Sequence, residues 1–245
     1  MKLEKPFFSK DVQYIPQENH LTFESLLKFL SSELPAGSLI LDLGCGYGPF
    51  TKRIKNQIEK CGHKWIGVDL LSIESSVWGD VHCLPFKNEI FDCVFSNCAL
   101  EHFCDPKSAM MEVNRVLKPH SLFIGNVAFM EPFHKSYFNM SHWGIEYILR
   151  NSYFTDIKLQ PGFNIFEVLS KYIFMEHTRF KKLYAPIIKL PTHAFIFFVK
   201  HFFCWFRRIK YGKKSTKYQE VCDYYNIKFP YIMSGSIYFY ARKRK

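Results

Sequence analysis

The run DLGCGYG, residues 42–48, places one carboxylate and three glycines in seven positions. Gly44, Gly46 and Gly48 allow a tight bend and leave the backbone open to close approach by a ligand. A phosphate loop would end in lysine and a hydroxyl, but GCGYGPFT has Pro49 and Phe50 there. A dinucleotide turn prefers G-x-G-x-x-G and presents backbone amides to a pyrophosphate. This run is G-x-G-x-G, and Asp42 stands two residues before its first glycine. Asp42 would repel a pyrophosphate and suits a ligand that carries positive charge and no phosphate.

S-adenosylmethionine is such a ligand, with a sulfonium, an ammonium, a ribose diol, an adenine and one carboxylate. Asp69, twenty-five residues past Gly44, closes the next apolar run WIGVDLL. A carboxylate there can accept from both ribose hydroxyls, a device that dinucleotide folds share. Asp80 follows Gly79 and can accept from an adenine amino group. Leu70, Leu84 and Phe86 offer apolar surface to the ring. A purely structural tight turn is the plain alternative; it would need the glycines but not the three acids.

These residues must be held by regular elements. SLILDLG (38–44), HKWIGVDLL, VHCL (81–84), FDCVFSN (91–97) and SLFIGNVAF (121–129) read as short buried strands. PFTKRIKNQIEKCG and DPKSAMMEVNRVLKP read as helices, the second capped by Asp105 with Pro106 at its first position. LTFESLLKFLSSEL before the first strand and HWGIEYILRNS later are also helical. FTDIKLQ (154–160) and the terminal SGSIYFYARKRK supply two more strands. Alternation of this kind predicts an α/β fold with a mostly parallel seven-stranded sheet, whose crevice lies beyond the carboxyl ends of the strands. Asp42 to Gly48, Asp69, Asp80 and Asn97 all fall at those ends.

LILDLGCGYGPF, WIGVDLL, GDVHCLPFKNEIFDCVFSNCALEHFCDP and MEVNRVLKP resemble the successive motifs of class I S-adenosylmethionine-dependent methyltransferases. The resemblance is nearest to the broad type 11 group that includes quinone-biosynthesis enzymes, and it covers roughly residues 36 to 128 well. It implies a Rossmann-like fold in which Asp42, Gly44 and Gly46 line the methionine portion of the cofactor. By the same resemblance Asp69 holds the ribose, Asp80 meets the adenine amino group, and Asn97 lies beside the cofactor. Cys45, Gly48, Leu70 and Val81 complete the expected contact set; no metal ligand is expected. Where the family usually has two glycines after R-V-L-K-P, this chain has His120 and Ser121, so that turn uses ordinary angles or a left-handed histidine.

Methyl transfer from a sulfonium is an in-line displacement with a neutral leaving group, so alignment supplies much of the catalysis. A base is needed only for an acceptor that must lose a proton. His102, just past the fourth strand, and His134 and Tyr137, in FMEPFHKSYFNMSHWGIE, are the candidates for acceptor-side chemistry. His142 and Trp143 lie in the same aromatic segment. A backbone-bonded turn histidine and simple surface packing are the respective alternatives. SNCALEH stands where enzymes that methylate amide or exocyclic amino nitrogens commonly carry N/D-P-P-Y/F, which argues against adenine or glutamine N-methylation but not against oxygen, carbon or other nitrogen acceptors; oxygen or carbon is the expected target.

Net charge is +11 over 245 residues, and its layout is uneven. Residues 181–245 hold 15 Lys/Arg against only Glu220 and Asp223, whereas residues 1–180 hold 18 against 20 acids. The start MKLEKPFFSKDVQYIPQ has no signal-peptide apolar run, and none of the eight cysteines forms C-x-x-C, which suits reduced thiols in a cytoplasmic protein. The expected division is a cofactor-binding domain over 1–165 and 231–245, with a helical, aromatic and basic insertion over 166–230. In HAFIFFVKHFFCWF (193–206), Phe195, Phe198, Val199, Phe202 and Phe206 share one helical side, with Trp205 nearer an edge. The stretch is too short to span a bilayer. With RRIKYGKK it suits an anionic membrane surface met through residues 193–217, or else a packed lid. The sequence-level reading is a peripheral methyltransferase acting on a small-molecule or lipid-linked acceptor. A non-catalytic methyltransferase-like binding module and an RNA-modifying methyltransferase remain open beside it; nucleic acid has basic charge in its favour but no recognisable binding module.

Overall fold

The computed structural model describes residues 12–14, 30, 32–131, 135–162, 165, 168, 197–198 and 201–245. Eight strands form one sheet: β1 (Gln13–Tyr14), β2 (Leu39–Leu43), β3 (Lys64–Asp69), β4 (Val77–Trp78), β5 (Phe91–Asn97), β6 (Leu117–Ala128), β7 (Phe154–Pro161) and β8 (Ser236–Lys243). Their order is β1-β7-β8-β6-β5-β2-β3-β4. Only β8 runs against its neighbours β6 and β7. The two-residue β1 edge is one strand more than the sequence predicts.

The order in which strands are added reverses at β2, with β3 and β4 on one side and β5 and β6 on the other. The turn leaving β2 therefore sits at a topological switch point, where two crossovers diverge and leave a crevice. β2 alternates between two layers. Leu41 and Leu43 join the cluster beneath α2 (Pro106–Val116), while Ile40 joins the cluster with Ile54 and Ile58 of α1 (Pro49–Lys60). Full burial of such side chains stabilises by roughly 1.5–3 kcal/mol each. α2 starts as predicted: Asp105 accepts from the Ser108 N–H at 3.1 Å and Pro106 holds the first position. It ends at Val116, and β6 begins at the next residue rather than at 121. His120 takes the left-handed angle, φ 63, and its carbonyl accepts from Arg242 Nη1 at 3.1 Å.

A further element differs from expectation. The strand beyond β3 is Val77–Trp78, not VHCL; residues 81–84 form turns, with Val81 and Leu84 packed into the core. Residues 21–29 and 31 of the helix expected before β2, and residues 166–167, 169–196 and 199–200 of the expected insertion, lie outside the described residues. α3 (His142–Asn151) matches its prediction. Towards the C-terminus, residues 201–211 are helical, followed by α4 (Thr216–Asp223), a π-turn at Tyr224–Lys228 and α5 (Phe229–Ile232). Tyr231 of α5 is fully buried and donates from its hydroxyl to the Leu159 carbonyl, which ties this region to β7. Among the described residues no helix is long and apolar enough to cross a membrane. Of the eight free cysteines only Cys45 and Cys93 are buried.

Candidate functional site

The glycine turn is shaped from below and clamped from the side. Gly44, Gly46 and Gly48 all have positive φ, at 66, 63 and 94. At Gly44 a Cβ would stand 2.7 Å from the Ala99 Cβ, so conformation and packing both demand glycine. At Gly46 and Gly48 the space where a side chain would stand is open, with nothing nearer than the Thr51 hydroxyl at 4.0 Å from Gly46. That open backbone is what a closely approaching ligand needs.

The amides of the turn already point at acids of the chain itself. Gly46 N–H donates to Asp69 Oδ2 at 2.9 Å, and Gly48 N–H donates to Glu74 Oε2 at 2.8 Å. The Ser72 hydroxyl donates to the Gly46 carbonyl, closing a third link between the turn and the segment after β3. Asp69 Oδ1 also accepts from the N–H groups of Leu71 and Ser72 at 2.9 and 3.0 Å. Three backbone donors thus fix the Asp69 carboxylate, and a carboxylate has about four acceptor positions. Glu74 is held by Lys52 at 3.0 Å; that contact and the Gly48 amide keep its carboxyl below the usual range.

Asp42 is placed differently from Asp69. It is 1% exposed, on the α1 side of β2, and accepts from Trp65 Nε1–H at 3.1 Å. Burial pushes its pKa up to about 7 against the lowering effect of that bond, and Asp69 raises it further. Burial first, then Asp42, push the neighbouring Cys45 thiol up to about 12, which keeps it protonated. Leu70 is exposed at the rim beyond Asp69. Leu84, expected to face a ring, is instead buried in the core, and Phe86, expected to do the same, is half-buried against it, meeting Phe91 edge-on at 5.0 Å.

Asp80 is exposed and takes both the His82 backbone N–H, at 2.9 Å, and His82 Nδ1, at 2.6 Å; the backbone bond, then the ring, hold its carboxyl below the usual value. His82 Nε2 in turn faces the Asp105 N–H at 3.3 Å. This histidine bridges the Asp80 loop to the start of α2, with Nδ1 donating and Nε2 accepting. Sequence reasoning passed over His82 and Glu74. Both lie in short polar loops, and the only local signal was an acid or a histidine within five residues of a predicted contact.

Past β5, Asn97 lies opposite Asn126 of β6, and Cys98 turns the chain with φ 49. This brings Ala99 and Phe103 against Gly44, so the turn after β5 leans on the glycine turn. His102 follows on a short 3-10 turn, Leu100–His102, and is exposed. Beside it, Glu101 is fully buried, and its Oε1 accepts from the Ala128 N–H at 3.1 Å. Burial raises its pKa to about 7. The Glu101 carbonyl accepts from the N–H groups of Tyr137 and Phe138 at 2.9 and 3.1 Å. Tyr137, 74% exposed, is thereby anchored one residue from His102. His134 lies outside the described residues. His142 is buried at the start of α3 against Tyr14 and Tyr231, away from any role as an exposed base.

The glycine turn is thus tied to Asp69 and Glu74, and the Gly79 N–H donates to the Asp69 carbonyl at 3.2 Å next to Asp80, while Asn97 and His102 follow β5 with Tyr137 bonded to the Glu101 carbonyl. Residues 41–125 match the family model described as a methyltransferase domain. A quinone-biosynthesis C-methyltransferase of Vibrio cholerae is 33% identical over 100 residues, 34% of this chain and 38% of that protein. A human mitochondrial protein named as an arginine-hydroxylase is 36% identical over 95 residues, 36% of this chain and 28% of that one. The chain spans 41% or less of the length of the first curated relatives it matches. Among solved structures, a sarcosine dimethylglycine methyltransferase from Galdieria sulphuraria superposes with a TM-score of 0.55 at 15% identity, over 91% of this chain and 85% of that one. The chain thus has the Rossmann-like α/β fold found in class I S-adenosylmethionine-dependent methyltransferases, and its residues 41–125 are similar to a methyltransferase domain.

Proposed function

We propose that this chain binds S-adenosylmethionine in the crevice beyond β2 and β3 and directs its methyl group to a small or lipid-linked metabolite at oxygen or carbon. One observation carries the reading. The glycine amides that would face a pyrophosphate are committed to Asp69 and Glu74, so the crevice already holds anionic charge where a dinucleotide would bring more. The same charge favours a sulfonium and an ammonium.

When bound, the cofactor supplies a methyl group on a sulfonium that departs as a neutral thioether. Asp69, fixed by three backbone donors, presents its remaining acceptor capacity to the ribose hydroxyls. Asp80 accepts from the adenine amino group while His82 keeps its carboxylate ionised and oriented. Leu70 lies along the ring, the backbone at Cys45 and Val81 borders the nucleoside, and Gly44 to Gly48 let the methionine portion lie against the main chain. Asn97 borders the reacting end. His102 and Tyr137 stand on the acceptor side, where an exposed imidazole can take the proton of a hydroxyl or acidic carbon. His134 belongs to the same proposed group by sequence. Residues 1–165 and 231–245 form the catalytic unit in this reading, and 166–230 the insertion that governs acceptor access.

Calorimetry with S-adenosylmethionine, its demethylated product and a nicotinamide dinucleotide tests the proposal. Uptake of the first two alone is expected; uptake of the dinucleotide with indifference to S-adenosylmethionine ends it. A second reading, favoured by the relative named as a hydroxylase, keeps the cofactor site and changes the chemistry. Tight cofactor binding without methylation across a panel of prenylated phenols and quinones would select it.

A further inference from the structure

The helical residues 201–211 face the wrong way for an ordinary surface helix. Its half-buried positions are Cys204, Arg207 and Tyr211, spaced three and four apart on one side. That side meets the rest of the chain: Cys204 Sγ lies 3.6 Å from Cys222 Sγ of α4, and Phe203, next to it, stacks on Tyr225 at 5.7 Å. The opposite side carries Phe198, Phe202, Trp205 and Ile209, spaced four, three and four apart, with Phe206 alongside. These are 66%, 46%, 58%, 66% and 49% exposed. A surface helix normally turns its apolar stripe inward and its charges outward. Here a cation is turned inward and the apolar stripe outward, so water is not the medium this stripe is built for.

We propose that this stripe lies in the interfacial region of an anionic lipid bilayer, with the helix parallel to the membrane plane. Charge names the partner. Arg208 and Lys210 flank the stripe on its two sides, and Lys213, Lys214 and Lys217 follow beyond Gly212. Only Glu220 and Asp223 oppose them within residues 181–245. Basic side chains at the border of an apolar face keep their charge at headgroup level while their stems lie along the hydrocarbon. Trp205 has the ring type that favours that boundary. An open groove of about 470 Å³ runs beside the stripe, bounded by Phe198, His201, Phe202, Trp205, Arg208 and Tyr218. It is apolar along its length with a guanidinium at its edge, matching a chain beneath an anionic headgroup. A second copy of the chain would bring the same cations against these ones. A nucleic acid would stack on aromatic faces, but Ile209, the most exposed stripe residue together with Phe198, has no such face.

This inference rests on the proposed methyl transfer only for its purpose, access to a lipid-linked acceptor; its test reads no methylation. The full chain is sedimented with phosphatidylcholine vesicles, with and without phosphatidylglycerol, at low and high salt. Binding to the anionic vesicles, weakened by salt, is expected. Phe202→Ser with Trp205→Ser should lower the partition coefficient at least about tenfold. Arg208→Gln with Lys210→Gln should flatten the salt dependence. Quenching of Trp205 fluorescence by brominated lipid in the unaltered chain, assigned by its loss in Trp205→Phe, places the ring in the bilayer even if the serine variant folds poorly. The proposal falls if wild type ignores both vesicles, if the substitutions leave binding unchanged, if they instead dissolve a dimer, or if the same face retains RNA and not lipid. Binding of the demethylated cofactor, measured alongside, separates this failure from failure of the methyltransferase reading.

Discussion

At the end of β2, polar groups and glycines are fixed by the chain itself: Gly46 and Gly48 give their N–H groups to Asp69 and Glu74, and Ala99 closes on Gly44. At residues 201–211 the outward side chains are large and apolar, and their neighbours in the chain lie behind them. The crevice is thus prepared for a ligand by satisfying everything around an open backbone, whereas the aromatic helix is prepared for a partner by leaving its face uncovered. Preorganised sites are sensitive to single atoms; an uncovered face should be insensitive to them while the chain is alone in water. That difference in sensitivity can be measured.

Within the glycine turn and its surroundings, the largest effect should come at Gly44. Gly44→Ala sets a Cβ 2.7 Å from Ala99 and keeps a left-handed angle, φ 66. The angle costs roughly 1–2 kcal/mol and overpacking roughly 1–3 kcal/mol more. Denaturant unfolding should show a loss of about 3 kcal/mol; a loss below about 1 kcal/mol would mean that the turn yields and is not a rigid cradle. Asp69→Ala comes next. It removes the acceptor of three backbone N–H groups along with the proposed ribose contact, so cofactor affinity should fall about 100-fold by calorimetry. Unchanged affinity would remove the ribose assignment.

A subtler handle is Asp42, whose pKa stands at about 7 because it is buried. The folded chain keeps this proton to higher pH than the unfolded chain does. The raised pKa therefore contributes relative stability at low pH, lost as pH rises from about 4 to about 7. A sulfonium above the turn favours the ionised form. Affinity for S-adenosylmethionine should accordingly rise with pH, by at most about tenfold per unit, and level off above about 7. The demethylated product has the same amine and carboxylate but a neutral sulfur, so the difference between the two pH profiles isolates the sulfonium. Identical profiles would show that Asp42 does not sense it.

Much of the fold around the glycine turn was legible because its signals are local. Apolar runs closing in glycine or aspartate mark strand ends, and Asp105-Pro106 marks a helix start in the sequence itself. What was not legible depends on partners distant in the chain. VHCL looked like a strand but is packed as a turn, and the two-residue edge at Val77–Trp78 took its place, because a four-residue apolar run has no period to distinguish the cases. Glu74 and His82 gain their roles from Gly48 and Asp105, which no spacing rule connects to them. In the aromatic helix, periodicity grouped Phe198, Phe202 and Phe206 but set Trp205 at an edge, while the structure puts Trp205 within the outward stripe; Phe195 and Val199 lie outside the described residues. Periodicity tells which residues share a side. It does not tell whether that side faces the core.

The smallest expected effect is therefore the most informative about that helix. Phe123 and Phe198 are the same residue type in the two regions, one fully buried in the sheet and one 66% exposed. Phe123→Ala should cost about 3–5 kcal/mol, since the ring is lost from between Phe154 and Phe239 and leaves a cavity. Phe198→Ala removes a ring that water already surrounds, and alanine favours the helix by a few tenths of a kcal/mol, so stability should change by no more than about 0.5 kcal/mol. A packed lid would behave like Phe123, because its ring would be spent on the fold of the isolated chain. A loss at Phe198 above about 1.5 kcal/mol would show that the stripe serves the fold and does not await a partner. A change near zero would leave its apolar surface with no function in the monomer, which is the condition a membrane-facing stripe must satisfy before any lipid is present.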